Sequence, residues 1–170
     1  MSDREPFHLD QGAALLALYD SGVDEVYGYL RRRTPDDVTA EDLTSETFLG
    51  AVRSIESGTV AEISVAWLVD IARHKLADHW RRLAREDRKL QLVEPTDATD
   101  PTDQHIDAAA AHATLAQLAP HHRAVLTFRY LDGLPVRQVA DLLDRTPHAT
   151  EALLIRAKHA FRLAYGEVTP

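Results

Sequence analysis

Residues 73–85 read RHKLADHWRRLAR: five Lys or Arg, two His and one carboxylate. Cations repeated along one helix suit a polyanion, because each Lys or Arg that meets a phosphate releases a condensed counterion. An aromatic nearby adds a surface on which an unstacked base can rest. A solvated basic face would have the same composition, so charge by itself leaves both readings open. Other chemistry is poorly supplied. The chain has no Cys, which excludes disulfides and Cys-based zinc or redox sites. Its nine His show no metal-ligand spacing such as His-Glu-x-x-His. No metal, cofactor or catalytic group is expected, and the chain reads as a non-enzyme.

The basic run is conspicuous because the whole chain of 170 residues carries a net charge of −8. Residues 1–72 hold 5 Lys/Arg against 14 Asp/Glu, and residues 73–89 hold 7 against 3. Residues 90–114 hold 5 acids and no Lys or Arg, and residues 115–170 hold 7 cations against 5 acids. Blocks of alternating sign suggest separate surfaces for separate partners. A uniformly acidic chain would repel nucleic acid, whereas a local basic face still attracts it. Apolar residues, at 45%, are enough for a real core. No stretch approaches the roughly 18 apolar residues that span a bilayer. The N-terminal MSDREPFHLD lacks the basic-then-apolar order of a signal peptide. A cytoplasmic protein with no membrane partner is expected.

The elements that must position these residues read as all-α, since β-branched alternation is nearly absent. A first helix is expected from about Leu9 or Gly12 to Arg33, loosened at Ser21-Gly22 and ended by Thr34-Pro35-Asp36. A second is expected from Thr39, its hydroxyl capping and Asp42 answering, to about Ser57, burying Leu43, Phe48, Val52 and Ile55. A third runs from about Ala61 or Ser64 to Leu90, with Val65, Val69, Ala72, Leu76, Trp80 and Leu83 on one face. His74, Asp78, Arg81, Arg82 and Arg85 fall on the opposite face. Residues 94–107, EPTDATDPTDQHID, have two Pro, five acids and no apolar period, as a linker does.

Beyond the linker, residues 134–164 form the most specific pattern. A short amphipathic helix, Leu134 to Leu143, meets a tight turn at Asp144-Arg145. Thr146 is placed to cap the next helix, and Pro147 takes its first position, where a missing N–H costs nothing. Two helices joined this way form a helix-turn-helix, whose second helix can enter a DNA major groove. A plain helical hairpin is the competing reading, and the basic tail of Arg156, Lys158 and Arg162 favours DNA.

Both halves resemble one family, the extracytoplasmic-function (ECF) sigma factors of the sigma-70 type, over roughly residues 12–165. AEDLTSETFLGAV (40–52) is similar to the family's region 2.2, and AWLVDIARHKLADHWRR (66–82) to regions 2.3 and 2.4. LAPHHRAVLTFRYLDGLPVRQVADLL (118–143) with the helix from Pro147 is similar to region 4. The resemblance implies two all-α domains: region 2 over 9–90, a flexible acidic linker over 91–111, and a region 4 helix-turn-helix over 112–166. It implies a factor that binds core RNA polymerase, at the β′ clamp helices and the β flap. That factor would direct initiation at promoter DNA and aid melting of the −10 element. An anti-sigma factor is a further partner that the family brings.

Carried over residue by residue, the −10 surface comprises Trp67, Arg73, His74, Lys75, Asp78, Arg81, Arg82 and Arg85. Trp67 has a competing role as a core residue, and Asp78 reads better as a brace for neighbouring cations than as a base contact. The −35 surface comprises Arg137, Arg145, His148, Glu151, Ile155, Arg156, Lys158 and His159. The polymerase surface comprises Glu41, Asp42, Leu43, Glu46, Thr47 and Phe48. One departure stands out: where the family shows a basic residue, Ser and Arg, this chain has Glu151, Ala152 and Leu153. Glu can accept from cytosine and Ile can touch a thymine methyl, yet Glu151 repels phosphates. A stand-alone helix-turn-helix regulator is the alternative function, and it would need a dimer interface or a ligand pocket.

Overall fold

The computed structural model describes the backbone of residues 6–90 and 107–168, and side chains over 10–89 and 107–166. Among them there are helices and no strands, as the sequence predicts. The chain divides into two compact units, residues 1–76 and 77–170.

The first unit holds α1 (Pro6–Ala17), α2 (Tyr19–Arg31), α3 (Asp37–Glu56) and the first half of α4 (Val65–Leu90). The expected single first helix is two, broken at Leu18, while Ser21-Gly22 lies inside α2. Gly22 serves packing: a Cβ there would stand 2.8 Å from Leu68 Cδ1 of α4, so its missing side chain lets the two helices approach. The cap of α3 also differs from expectation. Asp36, extended at φ −143°, accepts from the backbone N–H of Thr39 at 2.7 Å and from its hydroxyl at 3.0 Å. A carboxylate offers both a hydrogen-bond acceptor and a negative charge to the helix N-terminus, so α3 begins at Asp37 instead of Thr39.

The core of this unit is built from Val26, Tyr29, Leu30, Leu43, Ile55 and Leu68. Thr44 and Thr47 are buried with them, their hydroxyls donating to the carbonyls of Ala40 and Leu43 at 2.7 Å. That back-bonding satisfies the hydroxyl inside the helix and makes a buried Thr tolerable. Two residues expected in the core are not fully there: Val52 is exposed and Phe48 half-buried.

Ser64 caps α4, its Oγ accepting from the backbone N–H of Trp67 at 3.2 Å. The buried stripe of α4 is Leu68, Ala72, Leu76, Trp80 and Ala84. Its four-residue step is the helical period, and it differs from the expected face by one register at Leu68 and Ala84. Val65, Val69 and Leu83 are half-buried.

The second unit contains the rest of α4 with α5 (Ala108–Gln117), α6 (Pro120–Leu126), α7 (Val136–Leu142) and α8 (Pro147–Val168). A π-helical turn, Thr127–Leu131, continues α6. The expected linker shortens here, because Ala108–Ala111 open α5: an alanine run is the strongest helix former, and Asp107 caps it through Ala110 N–H at 3.0 Å. The remainder of that linker, residues 91–106, lies outside the described residues. Arg123 closes the other end of α5, its Nε donating to Leu115 O at 2.8 Å, so a carbonyl left free by the helix end is satisfied. Helix α8 packs on α5, α6 and α7, around Val125, Phe128, Val139, Leu153 and Ala157. The Trp80 ring stands edge-on to Phe128 at 5.3 Å, a favourable aromatic geometry. It ties the second half of α4 to this unit.

Candidate nucleic-acid interface

The basic residues of α4 are held by short local contacts. Arg73 pairs with Asp70 at 2.9 Å, one turn earlier. His74 is exposed, its Nδ1 2.8 Å from the backbone oxygen of Asp70. Lys75 lies across α3 at Gly50, where a Cβ would stand 3.3 Å from its Cε. Asp78 pairs with Arg81, and no bond from Asp78 to His74 occurs among the described contacts. The Arg82 guanidinium stands 3.2 Å from His79 Nδ1, and both Arg82 and Arg85 are exposed. Trp67 is half-buried. The face therefore presents Arg82 and Arg85 outward, with Arg81 steered by a carboxylate.

On α7 and α8 the local expectations hold closely. Asp144 has φ +52°, the left-handed turn that Asp tolerates better than most residues. Thr146 Oγ1 accepts from Ala149 N–H at 3.1 Å, and Pro147 opens α8. Arg137, His148, Glu151 and Ile155 are exposed, whereas Arg145, Arg156, Lys158 and His159 are half-buried. The Lys158 ammonium stands 5.6 Å from the centre of the exposed Tyr130 ring, within cation–π range. Leu153 is 1% exposed, so its departure from the family pattern serves the core and not the outward face.

On α3, Glu41, Asp42 and Glu46 are exposed as expected. Leu43 and Thr47 are not: both are buried, so neither presents a surface to a partner. The apolar residues that α3 exposes are instead Val38, Leu49 and Val52, which follow the helical spacing of the three acids. Phe48 is half-buried, its ring 5.2 Å from that of Tyr19.

The second unit also holds a cavity of about 330 Å³, walled by Arg81, Arg85, Arg88 and Arg145 with Trp80 and His121. It brings together cations expected to serve two different DNA elements. Arg81, Arg85 and Arg88 follow a helical spacing readable in sequence, but nothing local announces that Arg145 joins them. Burial lowers the pKa of Arg145, and the charges of Arg88 and Arg156 lower it further.

Beside this cavity the rings of His121 and His122 meet at a tilt, with centroids 4.3 Å apart. Burial first, then the charges of His121 and Arg156, push His122 down to about 4. The unfolded chain takes up a proton near the ordinary value of about 6.5, and the folded chain does not. His122 thus stabilises the fold fully above that value and loses the contribution as pH falls towards 4. The imidazole is half-buried and partly screened by solvent, so the loss is expected to be about 1–2 kcal/mol. Thermal unfolding at pH 7 and pH 5 checks it: His122→Gln should shrink the drop in midpoint, and an unchanged drop would refute the assignment.

Comparison with known proteins divides the chain later than the two compact units do, keeping most of α4 with the first part. Residues 18–86 match the profile of Sigma-70 region 2, and residues 108–161 that of Sigma-70, region 4. The ECF RNA polymerase sigma factor BldN of Streptomyces coelicolor is 36% identical over 82% of this chain, which spans 56% of that relative's length. The ECF RNA polymerase sigma factor SigL of Mycobacterium tuberculosis is 32% identical, over 93% of this chain and 92% of the relative. The fold is shared with the sigma factor RpoE of Bartonella quintana, solved with the anti-sigma factor NepR, at 18% identity and a TM-score of 0.54, covering 95% and 99% of the two chains. Two sigma-70 regions in order, on helices that offer a basic face and a capped helix-turn-helix, place this chain in the sigma-70 family, among the ECF sigma factors: it is a non-enzymatic transcription initiation factor.

Proposed function

We propose that this chain docks on core RNA polymerase through α3 and carries promoter DNA on α4 and on the pair α7–α8. The observation that carries the reading is the outward cations of α4, Arg82 and Arg85, in a chain whose net charge is −8. On α4, Arg73, Lys75, Arg81, Arg82 and Arg85 neutralise phosphates of the −10 region. Trp67 and His74 contact bases, and Asp78 holds Arg81 in place. On α7 and α8, Arg137, Arg145, Arg156, Lys158 and His159 grip the −35 backbone. His148, Glu151 and Ile155 face the bases. Glu151 repels phosphates, so the free chain binds DNA weakly and depends on polymerase for affinity.

The polymerase surface is the mixed stripe of Glu41, Asp42 and Glu46 with the exposed Val38, Leu49 and Val52. Such a mixture suits a large protein partner, with apolar contacts inside a charged rim. We place the domain boundaries by function at residue 90 and at Asp107, the cap of α5. Among the described residues no helix is long and apolar enough to cross a membrane, and the proposed place of action is the cytoplasm, where polymerase and chromosome meet. An anti-sigma partner, as NepR is for RpoE, belongs to the same reading.

The test is transcription in vitro with core polymerase on candidate promoters. Initiation at a defined start that requires this chain is the expected result. Tight binding of a palindromic site without polymerase, and no effect on initiation, would replace it with the stand-alone regulator.

A further inference from the structure

The cavity in the second unit gathers cations in excess of carboxylates. Arg81, Arg85, Arg88 and Arg145 wall it, with Asp144 the one carboxylate among its lining residues, and Arg81 pairs with Asp78. Like charges drawn together raise one another's cost unless an anion sits between them. Two donors there are also unmet. Trp80 is 1% exposed, and its Nε1–H has no acceptor among the described residues; the same holds for Arg81 Nε. A buried donor without an acceptor is destabilising, and a small shift of the wall that brought either one to an anion would relieve it.

We infer that this cavity is a binding site for an oligophosphate: free pyrophosphate or tripolyphosphate, or the phosphate tail of a nucleotide. Guanidinium forks match phosphate oxygens in pairs, which an ammonium does not. The volume of about 330 Å³ exceeds what one monovalent ion needs and falls at the lower end of small-molecule sites, roughly 300–1,000 Å³. Ala84, Ala124 and Leu143 add an apolar wall, against which a base or sugar can lie. His121 is held towards its neutral form by burial and by Arg145 and Arg88, with Asp87 opposing. It therefore adds a hydrogen-bonding group without a fifth full charge. Since Arg81 and Arg85 also belong to the proposed −10 surface, an occupied cavity withdraws them from DNA.

The binding test uses no DNA or polymerase, so its failure leaves the transcription reading untouched. The full chain with Trp67→Phe leaves Trp80 as the one indole, since the sequence has two Trp. Titration with sodium tripolyphosphate at constant ionic strength should change its fluorescence and saturate at one site. Arg88→Ala and Arg145→Ala should each weaken binding about tenfold or more. Arg88→Lys and Arg145→Lys, which keep the charge and the fold, should weaken it less than the alanines. Arg53→Ala on the exposed side of α3 should change nothing. Guanosine diphosphate binding more tightly than tripolyphosphate identifies a nucleotide as the source, and equal or weaker binding identifies free oligophosphate; either supports the site. No saturable change with either compound at about 1 mM overturns it, as does equal affinity in the Arg88, Arg145 and Arg53 variants. A single-stranded promoter oligonucleotide that needs Arg88 and Arg145, while neither small anion binds, assigns the cavity to DNA and overturns it too.

Discussion

Reversing two charges on α4, Arg82→Glu with Arg85→Glu, is expected to lower promoter-directed initiation roughly 100-fold. Both side chains are exposed, so the substitutions leave the core intact and act on the surface. Each cation that meets a phosphate contributes through counterion release, and an acid in its place adds repulsion to the loss. Two such changes amount to about 3 kcal/mol, which is the stated factor. The effect should depend on salt: the variant should lose about 0.7 from the logarithmic salt slope for each single-strand phosphate contact removed. Run-off transcription over a salt series measures both. Binding to core polymerase, read in a pull-down, should be unchanged, because its proposed surface is on α3. Initiation within about threefold of the parent chain would refute the role of this face.

Phe128→Ala is expected to destabilise the second unit by about 3–5 kcal/mol. The ring is fully buried at 0% exposure and meets Trp80 edge-on at 5.3 Å. Truncation removes the transfer free energy of a large side chain and leaves a cavity that α6 and α8 cannot close without losing their own contacts. Small domains are stable by only about 5–15 kcal/mol, so the loss is a large fraction of the total. Urea unfolding followed by Trp80 fluorescence in the Trp67→Phe background reads it directly. Ile155→Ala, on the exposed side of α8, should cost less than about 0.5 kcal/mol and serves as the comparison. A change below about 1 kcal/mol for Phe128→Ala would mean that this ring is not the centre of the core.

Where an assignment rested on neighbours within one helical turn, the residues themselves announced it. Thr146 as cap, Pro147 at the first position of α8 and the turn at Asp144 are all legible, because a cap or a φ preference is decided by three or four adjacent residues. The exceptions are cases with two local solutions. Thr39 and Asp36 could each cap α3, and the stronger acceptor prevails. Gly22 reads as a break but serves as a contact, because its reason is Leu68 on another helix.

Side-chain roles on α3 show the limit of pattern. Thr47 is polar and was expected outward, yet its hydroxyl finds Leu43 O within the helix and the residue is buried. Val52 is apolar and was expected inward, yet it joins the exposed stripe with Leu49 and Val38. Hydrophobicity says what a residue tolerates; the neighbouring helices decide which way it faces.

Sequence alone thus determined the helical class, the order of the two sigma regions, the basic face of α4 and the capped turn before α8. All of these depend on composition, period and near neighbours. Tertiary structure decided that Trp80 meets Phe128, that Leu43 and Thr47 lie inside, and that Arg145 lines one cavity with Arg81, Arg85 and Arg88. These residues are brought together by packing between helices far apart in the chain, and no local period encodes which surfaces will meet.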